Sequence, residues 1–419
     1  MSMEEKQNSQ TYQDFNKPIL KPSSEIEVTQ ILKECYKKNI PLEINGSKSK
    51  SKIGRNFQVE KNLDLTNLSG VIEYKPEELY IKLKAGTNLK EVIELLEKNN
   101  QELAFEPTDF GALFTGKENL GTIGGVMSCN FAGPRRFKVG SVRDHILGFK
   151  AVNGKGQLIK SGGTVVKNVT GYDLSKILSG AFGTLSVLTE ISVKVLPKAI
   201  CNRTLVIDNP HLKKALEYLN AALSSSTDPS GGVFYPEEFR EHFTFNDLTI
   251  KGALTAIRIE GPTLSVEQRI EQLMKELSVN TKEVAILDTE QSNLFWKKTK
   301  NLEIFSNLKT SLVRVVIPPS NAFDFIKKIK KYEVNYFVDW GGSLVWLEIN
   351  NLNPKKLREI KELVNSSLGY LTVIKIDEHL KSLVDVFTID PVKYKITEKI
   401  KKSFDPKGIL NPGKMYSGI

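Results

Sequence analysis

The stretch "KNVTGYDLSKILSGAFGTLSVLTEISVKVLP", Lys167 to Pro197, changes character halfway along. It opens polar, gathers small residues at Ser179, Gly180, Ala181 and Gly183, and then becomes a long strand pattern. Leu174, Ile177 and Leu178 read as about a turn and a half of helix, with Asp173 placed to cap it. From Leu185 the residues alternate. Leu185, Val187, Ile191, Val193 and Val195 take one face, and Ser186, Glu190, Ser192 and Lys194 take the other. Leu188 breaks that alternation, Thr189 puts a small β-branched residue on the apolar face, and Pro197 ends the strand. Bare backbone leading into such a strand admits two readings: ordinary hairpin architecture, or a turn built to lie against a ligand.

Upstream, "NGKG" (Asn153–Gly156) joins the strand patterns "HILGFKAV" and "QLIKS" as a hairpin. "NLKEVIELLEKNN" reads as an amphipathic helix with Leu89, Val92, Ile93 and Leu96 inward. "NLDLTNLSGVIEYKPEELYIKLKAG" reads as strands with a turn at Lys75-Pro76. Ser23 to Glu27 is a helix-start signal, and Ile26, Ile31, Leu32 and Cys35 are expected to face inward on that helix. "IPLEI" is then a short strand running into "NGSKSKSKIGR", a loop with four cations.

Downstream of residue 200 the Gly-rich loops end. "RTLVI", "GALTAIRIE", "SLVRVVI", "VNYFVDW" and "SLVWLEI" read as strands, and "HLKKALEYLNAAL", "TLSVEQRIEQLMKEL", "NAFDFIKKIKKY" and "PKKLREIKELVNSS" as helices. Strand–helix–strand–strand–helix–strand order predicts a ferredoxin-like sandwich. No internal repeat stands out. The tail "IKKSFDPKGILNPGKMY" is a short helix and a Pro/Gly clasp. The expected layout is a flexible tail over 1–19, a binding domain over 20–198, a smaller ferredoxin-like domain over 199–400, and a clasp over 401–419 that returns to the first domain.

With 419 residues, 40% of them hydrophobic and 26% charged, the chain can build more than one core. No apolar run approaches the ~18 residues of a membrane span, and the polar N-terminus lacks the apolar segment of a signal peptide. Three scattered cysteines, Cys35, Cys129 and Cys201, fit a reducing compartment without a disulfide framework, and no C-x-x-C is present to hold an iron–sulfur cluster. Four histidines, none closely paired, argue against a His-rich metal site. The net charge of +10 is spread over lysines that are not interleaved with aromatics, which speaks against a nucleic-acid groove.

Two small-residue loops carry the chemistry. In "NGSKSK", Gly46, Ser47 and Ser49 let backbone N–H groups approach an anion, and Lys48 and Lys50 add positive potential. In "LGTIGGVMSCNFAGPRR", Gly121, Gly124, Gly125 and Gly133 remove four side chains, at a spacing unlike G-x-G-x-x-G. A solvated loop and a tightly packed turn are the structural alternatives.

Taken in order, "PLEINGSKSK", "FEPTDFG", "GTIGGVMSCNFAGPRR", "GSVRDHILGFKAVNGKGQLIKSGG", "KNVTGYDLSKILSGAFGTLSVLTEISVKVLP" and "FDPKGILNPGKM" resemble the vanillyl-alcohol-oxidase/PCMH-type FAD-binding flavoproteins, and among them the FAD-binding subunits of glycolate oxidases. The resemblance covers residues 20–197 and the tail, and is one of architecture between them. It implies an α+β fold: a PCMH-type FAD-binding domain of two subdomains, followed by the ferredoxin-like domain. It assigns Asn45, Gly46, Ser47, Lys48, Ser49 and Lys50 to the pyrophosphate loop, and Pro107 and Thr108 to a flavin-lining turn. Gly121, Thr122, Gly124, Gly125 and Ser128 would wrap the pyrophosphate and ribityl chain. Asn130, Gly133, Gly140 and Ser141 would pass near the isoalloxazine, and Gly183 and Val187 near the adenosine. Many relatives tether the flavin through a His in the first loop; Ser and Lys stand there instead, so noncovalent FAD is expected.

No catalytic residue is assigned. His211, His242 and His379 read as surface residues, and His145 as a packing or surface residue. Arg135, Arg136 and Arg143 can hold a substrate carboxylate, or pair with Asp144, Glu118 or FAD. The resemblance implies glycolate (D-2-hydroxy-acid) oxidation in a cytoplasmic complex, peripheral at most to the inner membrane face. Its partners would be a larger FAD-dependent subunit and an iron–sulfur subunit. A self-sufficient hydroxy-acid or alcohol oxidoreductase and a noncatalytic assembly subunit are the alternatives. Neither nucleic acid nor direct membrane insertion is expected.

Overall fold

The strand that begins after Leu185 is bent in its middle. Ser186–Lys194 pairs antiparallel with Ile146–Asn153, but the register slips between Lys150, opposite Glu190, and Ala151, opposite Leu188. Thr189 is the extra residue of this β-bulge, and one extra residue exchanges the two faces of a strand. Leu188 therefore joins Ile191, Val193 and Val195 in one apolar cluster, while Val187 packs into another with Leu42, Leu63 and Val152. This corrects the expectation that Val187 shares a face with Ile191, and explains why Leu188 departs from the alternation. The Thr189 hydroxyl donates to Glu25 at 2.8 Å.

The computed structural model describes residues 17–165, 172–208, 211–243, 252–305 and 310–419. Lys167 to Gly171 of the stretch quoted above, and most of the expected N-terminal tail, lie outside them. Ile19–Leu20 (β1), Leu42–Asn45 (β2) and Lys61–Asp64 (β3) form a parallel sheet ordered β1-β3-β2, so the strand already begins at the edge of that tail. Val71–Lys75 (β4), Tyr80–Lys84 (β5), Ile146–Asn153 (β7), Leu158–Gly162 (β8) and Ser186–Lys194 (β9) form an antiparallel sheet ordered β4-β5-β9-β7-β8. The short strands Gln101–Glu102 (β6) and Leu196–Pro197 (β10) pair beside it.

Helix Glu25–Lys38 starts at Ser24, whose hydroxyl accepts the Glu27 N–H, and buries Val28, Leu32 and Cys35. Ile26 is 70% exposed, because it sits two residues from Val28 and so nearly opposite it on the helix. Ile31 is only half-buried. In helix Ser175–Leu178 the N-cap is Leu174, with no side-chain cap bond. Asp173 lies one residue before it and instead accepts the Ser175 hydroxyl and pairs with Lys176. It is thus not the cap that the spacing suggested.

The C-terminal half is one antiparallel sheet of eight strands. They are Cys201–Asp208 (β11), Gly231–Tyr235 (β12), Leu254–Gly261 (β13), Val284–Leu287 (β14), Ser311–Val316 (β15), Val334–Asp339 (β16), Leu344–Ile349 (β17) and Tyr370–Lys375 (β18). The order β14-β11-β13-β12-β16-β17-β15-β18 is the ferredoxin-like order twice, mirrored at a single bridge between Phe234 and Val338. Each βαββαβ unit carries its own helix pair, Leu212–Ser224 with Thr263–Leu277 and Ala322–Ile329 with Pro354–Ser366. Where the sequence suggested one such sandwich and no repeat, the structure has two. The halves share apolar pattern and strand order, which residue identity alone does not reveal.

Helix Pro391–Phe404 then carries the chain back to the first sheets, where Leu410 bridges Leu42 in parallel.

Candidate functional site

Four segments converge where the parallel and antiparallel sheets meet. They are the loop leaving β2, the turn into helix Ile123–Cys129, the turn before β9, and the tail. The cavity between them is lined by Asn45, Gly46, Ser47, Lys48, Ser49, Lys50, Thr122, Gly124, Gly125, Ser128 and Gly183, eleven of the residues singled out in the sequence. Ile44, Ser51, Leu65, Ala85, Cys129, Phe182, Ser186, Leu188 and Lys414 complete it.

The loops touch through their glycines. A Cβ on Gly46 would stand 2.3 Å from the Thr122 hydroxyl, and one on Gly121 2.5 Å from the Ser49 hydroxyl, so a side chain at either position would force the loops apart. Asn119 fixes their spacing. Its side-chain oxygen accepts the Ser47 hydroxyl at 2.9 Å and the Gly121 N–H at 3.1 Å, and its amide donates to the Ser47 carbonyl at 2.9 Å. Buried Asp109 holds Asn119 in turn by accepting its backbone N–H. Neither residue was read from the sequence; the signal available was an Asn two residues before a Gly-rich turn.

The cradle is short of negative charge. Lys50 and Lys414 are both buried in it, and burial pushes both ammonium pKa values down. Lys50 reaches only neutral oxygens, Ser49 at 3.1 Å and the Leu120 carbonyl at 3.2 Å. Among the described residues neither lysine has a carboxylate within ion-pair distance; Asp109 and Glu43 act on them only from farther away. The buried Asn45 amide nitrogen also has no hydrogen-bond partner. Burying two unpaired cations and an orphan donor is costly unless an anionic acceptor joins them. A dinucleotide diphosphate has the charge and acceptor oxygens they lack, so the donor set fits FAD. Lys414 was missed as a site residue, although "NPGKM" belongs to the tail motif.

Eight further predicted residues lie outside the cavity lining. Gly121 adjoins it, with φ of 93°. Pro107 and Thr108 are buried in the turn before Asp109. Asn130 ends helix Ile123–Cys129 in the left-handed conformation, and its side chain accepts the Arg143 N–H at 3.2 Å. The Gly133 carbonyl accepts the Trp340 indole at 2.9 Å. Gly140 and Ser141 form a tight turn in which Asp144 accepts both the Ser141 N–H and hydroxyl. Val187 points to the opposite face from its neighbours Ser186 and Leu188, which line the cavity, and packs with Leu42, Leu63 and Val152.

The turn before β9 is held by the tail. Gly183 has φ of 71°, the region that favours glycine, and a Cβ there would stand 2.8 Å from the Asn411 amide. That amide donates to the Phe182 carbonyl at 2.7 Å, and the Asn411 side-chain oxygen accepts the Ile44 N–H at 2.8 Å.

The arginines separate. Arg135 is enclosed by Glu102, Glu106 and Glu260, and Arg143 faces Asp144 at 3.8 Å. Arg136 lies over the Trp340 ring, 4.9 Å from its centroid, with no ion pair among the described residues. His211, His242 and His379 are exposed. His145 is buried against Phe105, its Nε2 3.0 Å from the Val139 carbonyl and its Nδ1 without a partner, and burial lowers its pKa. Cys35, Cys129 and Cys201 are free thiols. Among the described residues no helix is long and apolar enough to cross a membrane.

A parallel and an antiparallel sheet joined over a cationic glycine cradle, closed by a large antiparallel sheet and a returning tail, define a dinucleotide-binding flavoprotein of the two-subdomain class. Comparison with known proteins agrees. The FAD binding domain family matches residues 17–162, and the C-terminal domain of FAD linked oxidases matches residues 387–415. The chain is 30% identical to the glycolate oxidase subunit GlcE of Escherichia coli, over 90% of this chain and 93% of that protein. It is 25% identical to the glycolate oxidase subunit GlcD of Bacillus subtilis, over 97% and 90% of the two chains. Among solved structures, alkyldihydroxyacetonephosphate synthase superposes with a TM-score of 0.67 at 17% identity, covering 94% of this chain and 75% of that one. The 4-ethylphenol oxidase of Gulosibacter chungangensis does so with 0.67 at 14%, covering 94% and 88%. The chain belongs to the PCMH-type/vanillyl-alcohol-oxidase family of FAD-linked oxidoreductases.

Proposed function

We propose that this chain is the FAD-binding subunit of a glycolate or related D-2-hydroxy-acid dehydrogenase complex and holds its flavin noncovalently. The observation that carries the reading is the pair of buried lysines lining the glycine cradle, Lys50 and Lys414, neither with an ion-pair partner among the described residues. Together with backbone N–H groups of the Asn45–Lys50 loop and the Gly121–Gly125 turn, they would hold the FAD diphosphate. The first loop offers no His to form a covalent tether. FAD, when bound, supplies the acceptor for the two electrons that leave the C2–H bond as the hydroxyl becomes a carbonyl.

A larger FAD-dependent subunit and an iron–sulfur subunit are the proposed partners, since three isolated thiols give this chain no means of passing electrons on through a cluster. The complex would work in the cytoplasm, peripheral at most to the membrane. A second reading, in which this chain itself binds the hydroxy acid, is favoured by Arg136, which has no ion pair among the described residues.

Purification of the chain alone tests both. Flavin released into the supernatant by acid precipitation is expected; flavin that stays with the pellet contradicts noncovalent binding. A yellow chain that glycolate does not bleach, but that bleaches once the partners are added, supports the complex. Bleaching of the isolated chain supports the second reading. A colourless, folded chain that takes up no added FAD overturns both.

A further inference from the structure

Of the three thiols, Cys129 lines the glycine cradle and the other two do not. Cys35 and Cys201 are 2% and 3% exposed and sit in separate apolar cores, whereas Cys129 is only half-buried. Two cations meet it in the cradle, Lys50 from the loop leaving β2 and Lys414 from the tail. Of the acidic groups around these lysines, the Cys129 thiol acts most strongly on both, ahead of Asp109 on Lys50 and of Glu43 on Lys414. Among the described residues the Lys414 ammonium makes no hydrogen bond or ion pair; it lies over the Phe57 ring, 5.6 Å from the centroid. The Asn45 amide nitrogen, buried in the same wall, also lacks a partner. A nucleophile, two cations and an unused donor thus face one cavity.

Burial raises the Cys129 thiol, and Lys50 and Lys414 oppose it. A ready thiolate is therefore not what sets this cysteine apart. Its surroundings do. A small molecule bearing carboxylates is drawn to the two lysines and brought to the sulfur, while a neutral one gains nothing from them. Such a molecule would take the space that a dinucleotide diphosphate needs, because the same two lysines serve both.

We infer that Cys129 is a modification site of the flavin-free chain, capped by small anionic disulfides, and that the cap and FAD exclude one another. In the capping step the Cys129 sulfur, its proton lost to water, attacks one sulfur of the disulfide. A bond forms between those two sulfurs, the small molecule's own S–S bond breaks, and its other half leaves as a thiolate with the electron pair. The protein thiol is oxidised and the small disulfide reduced, so no further oxidant enters. A small thiol reverses the step. Flavin loading is thereby tied to the thiol–disulfide balance around the chain. The identity of the excluded molecule as FAD rests on the proposed function; the thiol and its two cations do not.

The probes are dithiobis-nitrobenzoate, which carries carboxylates, and dipyridyl disulfide, which carries none, applied to the full chain freed of flavin by dialysis. Each reports thiol capping by absorbance. Peptide mass mapping is expected to place the anionic label on Cys129 and to leave Cys35 and Cys201 free. Lys50→Met and Lys414→Met are each expected to lower the ratio of the anionic to the neutral rate roughly tenfold. Loosening of the fold would speed both reagents and leave that ratio alone. Added FAD is expected to stop the capping, and the capped chain to take up no FAD until dithiothreitol removes the cap. If the Met variants fail to fold, the mapping and the FAD competition carry the test. A label on Cys35 or Cys201 in place of Cys129, a rate ratio unchanged in the Met variants, or a capped chain that takes up FAD as readily as the free one overturns the inference. Lysine-dependent capping of Cys129 in a chain that takes up no FAD in either state keeps the modification site and overturns the assignment of this cradle to the FAD diphosphate instead.

Discussion

The Lys401 ammonium donates to the main-chain carbonyl of Thr184 at 2.7 Å, joining the tail to the turn that precedes β9. The same ammonium reaches the Leu410 carbonyl at 2.9 Å and the Asp405 carboxylate at 2.7 Å. Asp405 in turn accepts the N–H groups of Ile409 and Leu410. One buried cation therefore sets both the path of the tail and the position of the turn that walls the cradle.

Lys401→Met is expected to destabilise the protein by about 3–5 kcal/mol, because it leaves the fully buried Asp405 carboxylate without its counter-charge. Denaturant unfolding checks this; a loss below about 1 kcal/mol would mean that water or backbone donors replace the lysine.

Lys50 and Lys414 should behave in the opposite way. Replacing either by Met removes a buried, unpaired cation, so the flavin-free protein is expected to be as stable as wild type or more so. FAD affinity should nevertheless fall roughly tenfold to a hundredfold for each charge-assisted hydrogen bond removed. Thermal unfolding with and without FAD measures both at once. A variant that loses stability without FAD and keeps its affinity contradicts the assignment.

At Gly183 any side chain meets two obstacles. The left-handed backbone costs a residue with a Cβ about 1–2 kcal/mol, and the Cβ would push against the Asn411 amide. Gly183→Val is expected to lower stability by at least that amount and to lower flavin content, read from the ratio of flavin to protein absorbance. Unchanged flavin content would remove this turn from the site.

Much of this was legible in the sequence, for identifiable reasons. Gly46, Gly121 and Gly183 sit where a Cβ cannot, and such positions announce themselves as glycines in polar runs. The bulge at Thr189 was visible only as an irregularity at Leu188, since pattern shows that a period slips but not which neighbour absorbs it. Lys414 and Asn119 act through contacts more than 70 residues away in sequence, such as the Asn119–Ser47 pair, and long-range partners leave no local trace. The duplication in the eight-stranded sheet is a symmetry of topology, kept by patterns of burial that many residues satisfy.

Burial raises the Asp339 carboxyl to about 7, against an ordinary value of 3.8. The folded state thus prefers the protonated form. The associated stability is complete below about pH 4 and is lost as the pH rises through about 7. Asp339→Asn keeps an acceptor for the Trp340 N–H and cannot ionise. The variant should therefore gain stability relative to wild type steadily between pH 4 and pH 8, as urea unfolding at several pH values will show. A difference that stays flat across that range would mean that Arg314 and Arg258 neutralise Asp339 in the fold.

Glu106 is the centre of the polar seam that joins the cradle side to the eight-stranded sheet. Its carboxylate takes a two-point contact from Arg258 at 2.8 and 3.1 Å and the Arg135 N–H at 2.8 Å. Arg135 also grips Glu260 through two nitrogens and Glu102 through a third. Burial alone would raise Glu106 and Glu260, but the two guanidiniums outweigh it and hold both below the usual carboxylate range, Glu260 at about 2. Carboxylates with depressed pKa values give stability that is present above about pH 4.5 and is lost as the pH falls through their folded values. Glu106→Gln keeps the shape and removes the charge, leaving the buried Arg258 with only the more distant Glu260, 3.6 Å away, as a counter-charge. It is expected to cost about 3–5 kcal/mol at neutral pH, and, because one depressed carboxylate is gone, to make unfolding less steeply dependent on pH below 4.5 than in wild type. A neutral-pH loss with an unchanged acid limb would show that Glu106 serves the seam by its hydrogen bonds alone.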